Sequence, residues 1–163
     1  MPSGMLHFLL FLLCAALASL IQAQSIAIGY PEAGATISSS SNFTVEVDRP
    51  NSLTGSTEVS LVIALRACTT NSSAGSIVCA SPTEEMGTVL YHGGYDPQYS
   101  NTSGTGEKPP HQNFSVAVPD GFISGEDAGP YALLSVGHVA LVGAGNSPMF
   151  EVIYVDVQIA SSD

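Results

Sequence analysis

Three histidines beyond the N-terminal segment, His92, His111 and His138, are the residues of this chain best suited to bind a metal. No two of them have the spacing of a local ligand pair, such as two histidines one helical turn apart. A metal site would have to be assembled from distant parts of the chain. The pattern favours His92 and His111 in solvated loops and His138 on a strand face. We expect neither a metal nor another cofactor.

Two pairs of adjacent acids, Glu84-Glu85 and Glu126-Asp127, are the candidates for glycosidase chemistry. That chemistry needs two carboxylates held across a cleft. Adjacent residues of an extended chain point to opposite sides, so neither pair supplies this geometry alone. The sequence also lacks the Gly-x-Ser-x-Gly motif of a nucleophile elbow. We therefore predict solvated turn charges and a protein that is not an enzyme.

Three tyrosines, Tyr91, Tyr95 and Tyr99, are crowded into one short segment of the chain. Exposed tyrosines on a β-scaffold can stack on sugars or anchor a protein interface, because each ring brings a rigid face and a polar tip. Alternatively, the rings cap an open end of the fold. We take the three residues as interaction candidates.

The N-terminal region predicts a secreted protein. Cys14 lies in an apolar run, 8–18, whose length fits the hydrophobic segment of a secretory signal and is too short to span a membrane. Cleavage after Ala23 would remove the signal peptide, residues 1–23, and leave one domain, residues 24–163; a second small-residue site follows Ala18. Cys68 and Cys79 would then be the only thiols, and in an oxidising compartment we expect them to form a disulfide.

The net charge of -11 narrows the range of partners, since only 3 Lys and Arg residues oppose 14 Asp and Glu residues. Nucleic acid is a poor partner, because binding phosphates requires a dense basic patch. Four Asn-x-Ser/Thr sequons support the extracellular prediction and are candidates for N-glycosylation. Their asparagines are Asn42, Asn71, Asn101 and Asn113.

Alternation of apolar and polar residues predicts strands with one buried face. In two segments of matching design the inward residues are Phe43, Val45 and Val47, and Phe114, Val116 and Val118. The predicted strands are Ser25–Tyr30, Asn42–Asp48, Thr57–Ala67, Gly87–Tyr91, Asn113–Pro119, Tyr131–Val142 and Phe150–Ile159. The turn-rich segments between them include Pro31–Ser41 and Thr69–Ser76. We predict an all-β protein, a single antiparallel β-sandwich of immunoglobulin-like topology.

The sequence resembles those of a fungal family of necrosis-inducing secreted proteins, the Nis1-like effectors. The resemblance is carried by Ile28-Gly29-Tyr30-Pro31, the segment Asn42–Val59, Gly87–Tyr91, Pro97-Gln98-Tyr99, Lys108–Phe114 and Leu141–Gly145. It covers nearly the whole mature domain. It implies a fungal source and a small effector-like protein without catalytic activity. Members of that family provoke plant cell death or dampen immunity by engaging immune receptor-associated kinases.

Two functions follow as expectations. In the first, the chain is an effector that binds a host protein, an immune receptor-associated kinase by the family resemblance, to modulate plant immunity or cell death. In the second, it is a cell-wall-associated protein that binds polysaccharide through the tyrosine-rich segment.

Overall fold

The computed structural model describes residues 25–39, 41–71, 76–100, 108–124 and 128–160. All the regular elements in these ranges are strands, so the all-β prediction is confirmed. The strands are β1 (Ala27–Tyr30), β2 (Ala35–Ser38), β3 (Asn42–Asp48), β4 (Ser56–Asn71), β5 (Ser76–Val78), β6 (Thr88–Gly93), β7 (His111–Ala117), β8 (Ala128–Val142) and β9 (Ser147–Ala160). The predicted signal peptide lies outside the described residues. Within those residues, no helix is long and apolar enough to cross a membrane.

The strands form two sheets that share one core. The small sheet has the order β1-β3-β7, and the large sheet has the order β2-β9-β8-β4-β5, with β6 also paired to β4. All pairings are antiparallel except β2 with β9, which run parallel. The β-sandwich is therefore confirmed with one parallel pair at its edge, and the immunoglobulin-like topology is not confirmed.

Side chains from both sheets fill the core, and their parity is the one that alternation predicted. Val45 and Val47 are fully buried on β3, and Phe114 and Val116 are buried on β7. Phe43 is partly buried against the same core. They pack against β4, β8 and β9, whose buried residues include Leu61, Ile63, Leu65, Leu134, Val136 and Val157. Burying one such side chain fully contributes about 1.5–3 kcal/mol.

The strand β2 and the end of β4 lie where the sequence predicted turns. β2 falls inside the predicted turn segment Pro31–Ser41, and the end of β4 falls inside Thr69–Ser76, followed by β5. Each is too short to show a period. β2 forms by pairing with the far end of β9, with Ala35 opposite Val157. A partner so distant in sequence leaves no local pattern.

Cys68 and Cys79 form the predicted disulfide, with their Cα atoms 4.5 Å apart. β5 pairs with the end of β4, with Thr69 opposite Val78. The bond therefore closes a β-hairpin within the large sheet, partly in a segment where the sequence predicts turns, and it does not join the two sheets.

Candidate functional site: a sealed ion network and an exposed sheet face

The tyrosine-rich segment does not present its three rings together. Tyr95 is only 4% exposed, and its hydroxyl donates a hydrogen bond to the carbonyl oxygen of Val47 at 3.2 Å. Tyr91 is partly buried with its ring 4.6 Å from that of Phe114. These two rings belong to the core and its end, as the capping alternative expected. Tyr95 is thus corrected from a surface contact to a core residue.

Tyr99 is the exposed member of this group, with 58% of its surface accessible. Its hydroxyl donates a hydrogen bond of 2.7 Å to Asn51 Oδ1, which holds the ring near the loop that follows β3. Of the three candidates, Tyr99 is the one whose ring is free for a ligand or partner.

The predicted metal candidates do not meet. His92 is exposed on β6, His111 bonds to the carbonyl oxygen of Pro109 at 3.0 Å, and His138 is buried. Across the described ranges, no group of three His, Cys, Asp or Glu side chains is arranged to hold a metal ion.

The adjacent acids fall in different parts of the chain. Glu84 and Glu85 are exposed, and Glu85 Oε2 lies 2.5 Å from Arg66 Nη1. Glu126-Asp127 lies outside the described residues.

One buried ionic cluster was not expected from the sequence. His138 on β8 is 1% exposed and lies between two carboxylates, Glu58 on β4 and Glu151 on β9. Its Nε2 is 2.5 Å from Glu58 Oε2, and its Nδ1 is 3.0 Å from Glu151 Oε1. Because both partners accept, both ring nitrogens must donate, and the ring is an imidazolium.

The ionisation of the cluster follows from these bonds. Burial alone would lower the pKa of His138, but the hydrogen bonds to Glu151 and Glu58 outweigh it and raise that pKa to about 9. Burial would likewise raise the pKa of Glu58, but hydrogen bonds from His138 and Ser56 lower it to about 2. The pKa of Glu151 is also lowered, against burial, by His138 and Ser25.

A second cation balances the cluster and ties it to the small sheet. Arg49, which follows β3, places Nε 2.6 Å from Glu58 Oε1. Glu151 accepts hydrogen bonds from the Ser25 hydroxyl and from the backbone N–H of Ile26, just before β1. Two cations therefore meet two carboxylates, and the network joins the two sheets at one end of the core.

The ring of Tyr95 packs against this network, with its centroid 5.5 Å from that of His138 in an edge-on arrangement. The imidazolium has both protons engaged and almost no contact with solvent, so it cannot exchange a proton with a substrate. The cluster therefore stabilises the fold. A sequence signal existed: His138 and Glu151 occupy core-facing positions of apolar strands, where a charge requires a partner.

The outer face of the large sheet is apolar and partly bare. On β9, Phe150 is 68% exposed and Tyr154 is 54% exposed. Both have the parity opposite to the buried Val157. Across the sheet, Tyr154 is opposite Ser135, Ser135 is opposite Ala64, and Ala64 is opposite Val89 on β6. One row thus crosses four strands, with its end members Tyr154 and Val89 exposed and its middle members Ser135 and Ala64 buried.

Met86 occupies the middle of this face. A Cβ placed on Gly137 would lie 3.3 Å from Met86 Cε and 3.9 Å from Phe150 Cε2, so both side chains lie over that glycine. Val89 is about half exposed on β6. We define the apolar face by these residues: Phe150, Tyr154, Met86 and Val89.

The outer face of the small sheet is polar and carries two sequons. Asn42 and Asn113 are both exposed, and the sequon hydroxyls of Thr44 and Ser115 lie on directly opposed residues of β3 and β7. Asn42 Nδ2 donates a hydrogen bond of 3.3 Å to Ser115 Oγ. Both asparagines therefore face solvent, on the side opposite to the predicted inward residues, and their glycosylation stays a prediction. The Asn71 side chain and Asn101 lie outside the described residues.

Glu46 departs from the expected pattern on this face, because it is only 9% exposed. Its carboxylate lies 2.6 Å from Lys108 Nζ. A Cβ at Gly29 would come within 2.6 Å of Glu46 Oε1 and 2.7 Å of Asp48 Oδ2. The absent side chain at Gly29 thus leaves room for both carboxylates beside β1.

Comparison with known proteins identifies the family. No curated protein matches the chain. The model of the Nis1 family matches residues 21–158, nearly the whole of the predicted mature domain. This is the effector-like fungal family that the sequence resembled, and it is not a known enzyme family. The family and the disulfide are both consistent with secretion. The chain belongs to the Nis1 family.

Proposed function

We propose that this protein is a secreted, non-catalytic effector that binds a host protein to modulate plant immunity or cell death. The partner we favour is an immune receptor-associated kinase, the class that the family resemblance implies. Binding is stoichiometric and uses exposed surfaces of a rigid sandwich.

One observation carries the proposal. His138 forms, with Glu58 and Glu151, a cluster whose ionisation is strongly perturbed, and its imidazole is buried with both ring nitrogens hydrogen-bonded. Strongly shifted pKa values often mark catalytic groups, but structural ion networks shift them too. Here the imidazolium is unavailable to a substrate, while large apolar side chains such as Phe150 are exposed. Exposed apolar patches mark protein interaction sites.

The experiment compares host proteins with polysaccharides. Purified mature chain, residues 24–163, is tested for binding to a panel of plant immune receptor-associated kinase domains and to insoluble chitin, glucan and cellulose. We expect saturable binding to at least one kinase domain and none to the polysaccharides. Binding to the polysaccharides alone would overturn the proposal.

Tyr99 favours the alternative, a cell-wall-associated polysaccharide-binding protein. Its exposed ring, next to the polar Asn51, has the amphipathic character that sugar-binding aromatic residues need. Under this alternative, Tyr99→Ala would abolish binding to a polysaccharide. Under the host-protein proposal, the same variant leaves kinase binding unchanged.

A further inference from the structure

The two outer faces of the sandwich differ in chemistry. The small sheet exposes Asn42 and Asn113, two sequon asparagines on adjacent strands. The large sheet exposes Phe150 and Tyr154 on β9 and Val89 on β6. Glycans attached to the first face would shield it, since they are bulky and solubilising. The bare apolar face on the opposite side would stay accessible.

We propose that the apolar face of the large sheet is a docking surface for a partner protein that presents an apolar centre surrounded by Lys and Arg residues. This inference rests on the proposed function, because it specifies the surface and the chemistry of the host protein's contact. Phe150 and Tyr154 are the anchors. Exposed aromatic residues dominate protein interfaces because they bury a large rigid area at low entropic cost.

Charge complementarity commits the proposal to a basic partner. Asp156, two residues beyond Tyr154 on the same side of β9, is exposed. Glu84 and Glu85 are exposed in the segment that leads to Met86, and Arg66, a cation on this side, is paired with Glu85. The border of the apolar face is therefore acidic among the described residues. Lys and Arg on a partner would complement it and speed association at low salt.

The same charges argue against a second copy of this chain as the occupant. Two copies would bring Asp156, Glu84 and Glu85 of one copy towards the same acids of the other. Each chain also carries a net charge of -11, with 3 basic residues. Like charges facing each other across an interface cost several kcal/mol. The protein should therefore be a monomer in solution.

The direct test uses a probe with the predicted chemistry. A synthetic amphipathic helical peptide with leucines on one side and lysines along its edges is titrated against the fluorescently labelled mature chain. A twin peptide with glutamates in place of the lysines is the control probe. We expect saturable binding of the lysine peptide, weakened by added salt, and no binding of the glutamate peptide.

Surface variants locate the contact. Phe150→Ser with Tyr154→Ser should weaken lysine-peptide binding by about tenfold or more. Tyr99→Ser is the matched control, because its ring is as exposed as Tyr154 but lies away from the face, and it should bind like wild type. Asp156→Lys should weaken binding and reduce its salt dependence. Thermal unfolding checks that each variant is folded.

Three results would overturn the inference. The first is absence of binding by wild type, and the second is equal binding by the Phe150→Ser, Tyr154→Ser double variant. The third is a wild-type dimer in sedimentation that the double variant abolishes, since the occupant would then be a second copy. None of these results depends on a kinase. If the peptide binds the apolar face but no kinase domain binds the chain, the proposed function is wrong and the docking surface is retained. If a kinase domain binds the chain but the peptide does not bind this face, the docking surface alone is wrong.

Discussion

His138 Nε2 lies 2.5 Å from Glu58 Oε2, although the two residues are 80 positions apart in the sequence. The contact joins β8 to β4 on the core side of the large sheet. With Glu151 on the other ring nitrogen, it fixes a charged histidine inside the protein. The stability of the fold should therefore depend on pH in a way that these three residues determine.

The free energy of unfolding should be greatest between about pH 4.5 and 6.5. The folded pKa of His138, about 9, is above its ordinary value of 6.5, so its contribution is complete below pH 6.5 and is lost as the pH rises through 9. The folded pKa of Glu58, about 2, is below its ordinary value of 4.5, so its contribution is complete above pH 4.5 and is lost towards pH 2. Urea unfolding from about pH 2 to pH 9 measures the loss of stability on the acidic side and on the alkaline side. Constant stability from pH 6 to 9 would contradict the charged histidine.

Removing the imidazole should destabilise the fold strongly. His138→Ala leaves two partly buried carboxylates facing each other without the central cation, and we expect a loss of about 3–5 kcal/mol. Glu151→Gln keeps an acceptor for Nδ1 and should cost less. Chemical denaturation compares the two variants. The alanine variant should also lose the alkaline decline in stability, and a variant that kept it would assign that decline to another group.

Sequence alone predicted features that depend on neighbouring residues of the chain and missed contacts between residues far apart in it. The inward parity of Val45 and Val47 follows from alternation within one strand, and the structure confirms it. The ion network could not be predicted in this way, because its members come from three strands whose order periodicity does not determine. His138 and Glu151 are paired across β8 and β9, but nothing within either strand identifies the other.

The burial of Tyr95 could not be predicted from the sequence for a similar reason. A segment of tyrosines and glycines has no period that separates core rings from surface rings. Tyr95 lies in the core, where its hydroxyl donates a hydrogen bond to the carbonyl oxygen of Val47 and its ring packs edge-on against His138.

Two substitutions in the small sheet compare its buried face with its exposed face. Phe114→Ala should cost about 3–5 kcal/mol, because the ring is 5% exposed and packs on Tyr91. Thr44→Ala, on the outer side of the neighbouring strand, should change the free energy of unfolding little. Equal effects in denaturant titrations would mean that the two faces are wrongly assigned.

The disulfide should act locally. Cys68→Ser should lower stability by up to about 3 kcal/mol, because the bond closes a short loop in the unfolded chain. Hydrogen exchange should rise first in β5 and at the end of β4, while the amides of β3 stay protected. Exchange that rose equally in both sheets would show that the bond supports the whole sandwich.

The central claim, stoichiometric binding without catalysis, is tested most directly by native mass spectrometry. A kinase domain from the immune receptor-associated panel is mixed with increasing amounts of the mature chain, and the masses of both proteins and their complex are recorded. The account predicts a saturable one-to-one complex in which the mass of the kinase is unchanged. A kinase domain that is cleaved or covalently modified by substoichiometric amounts of the chain, or a panel in which no complex forms, would contradict it.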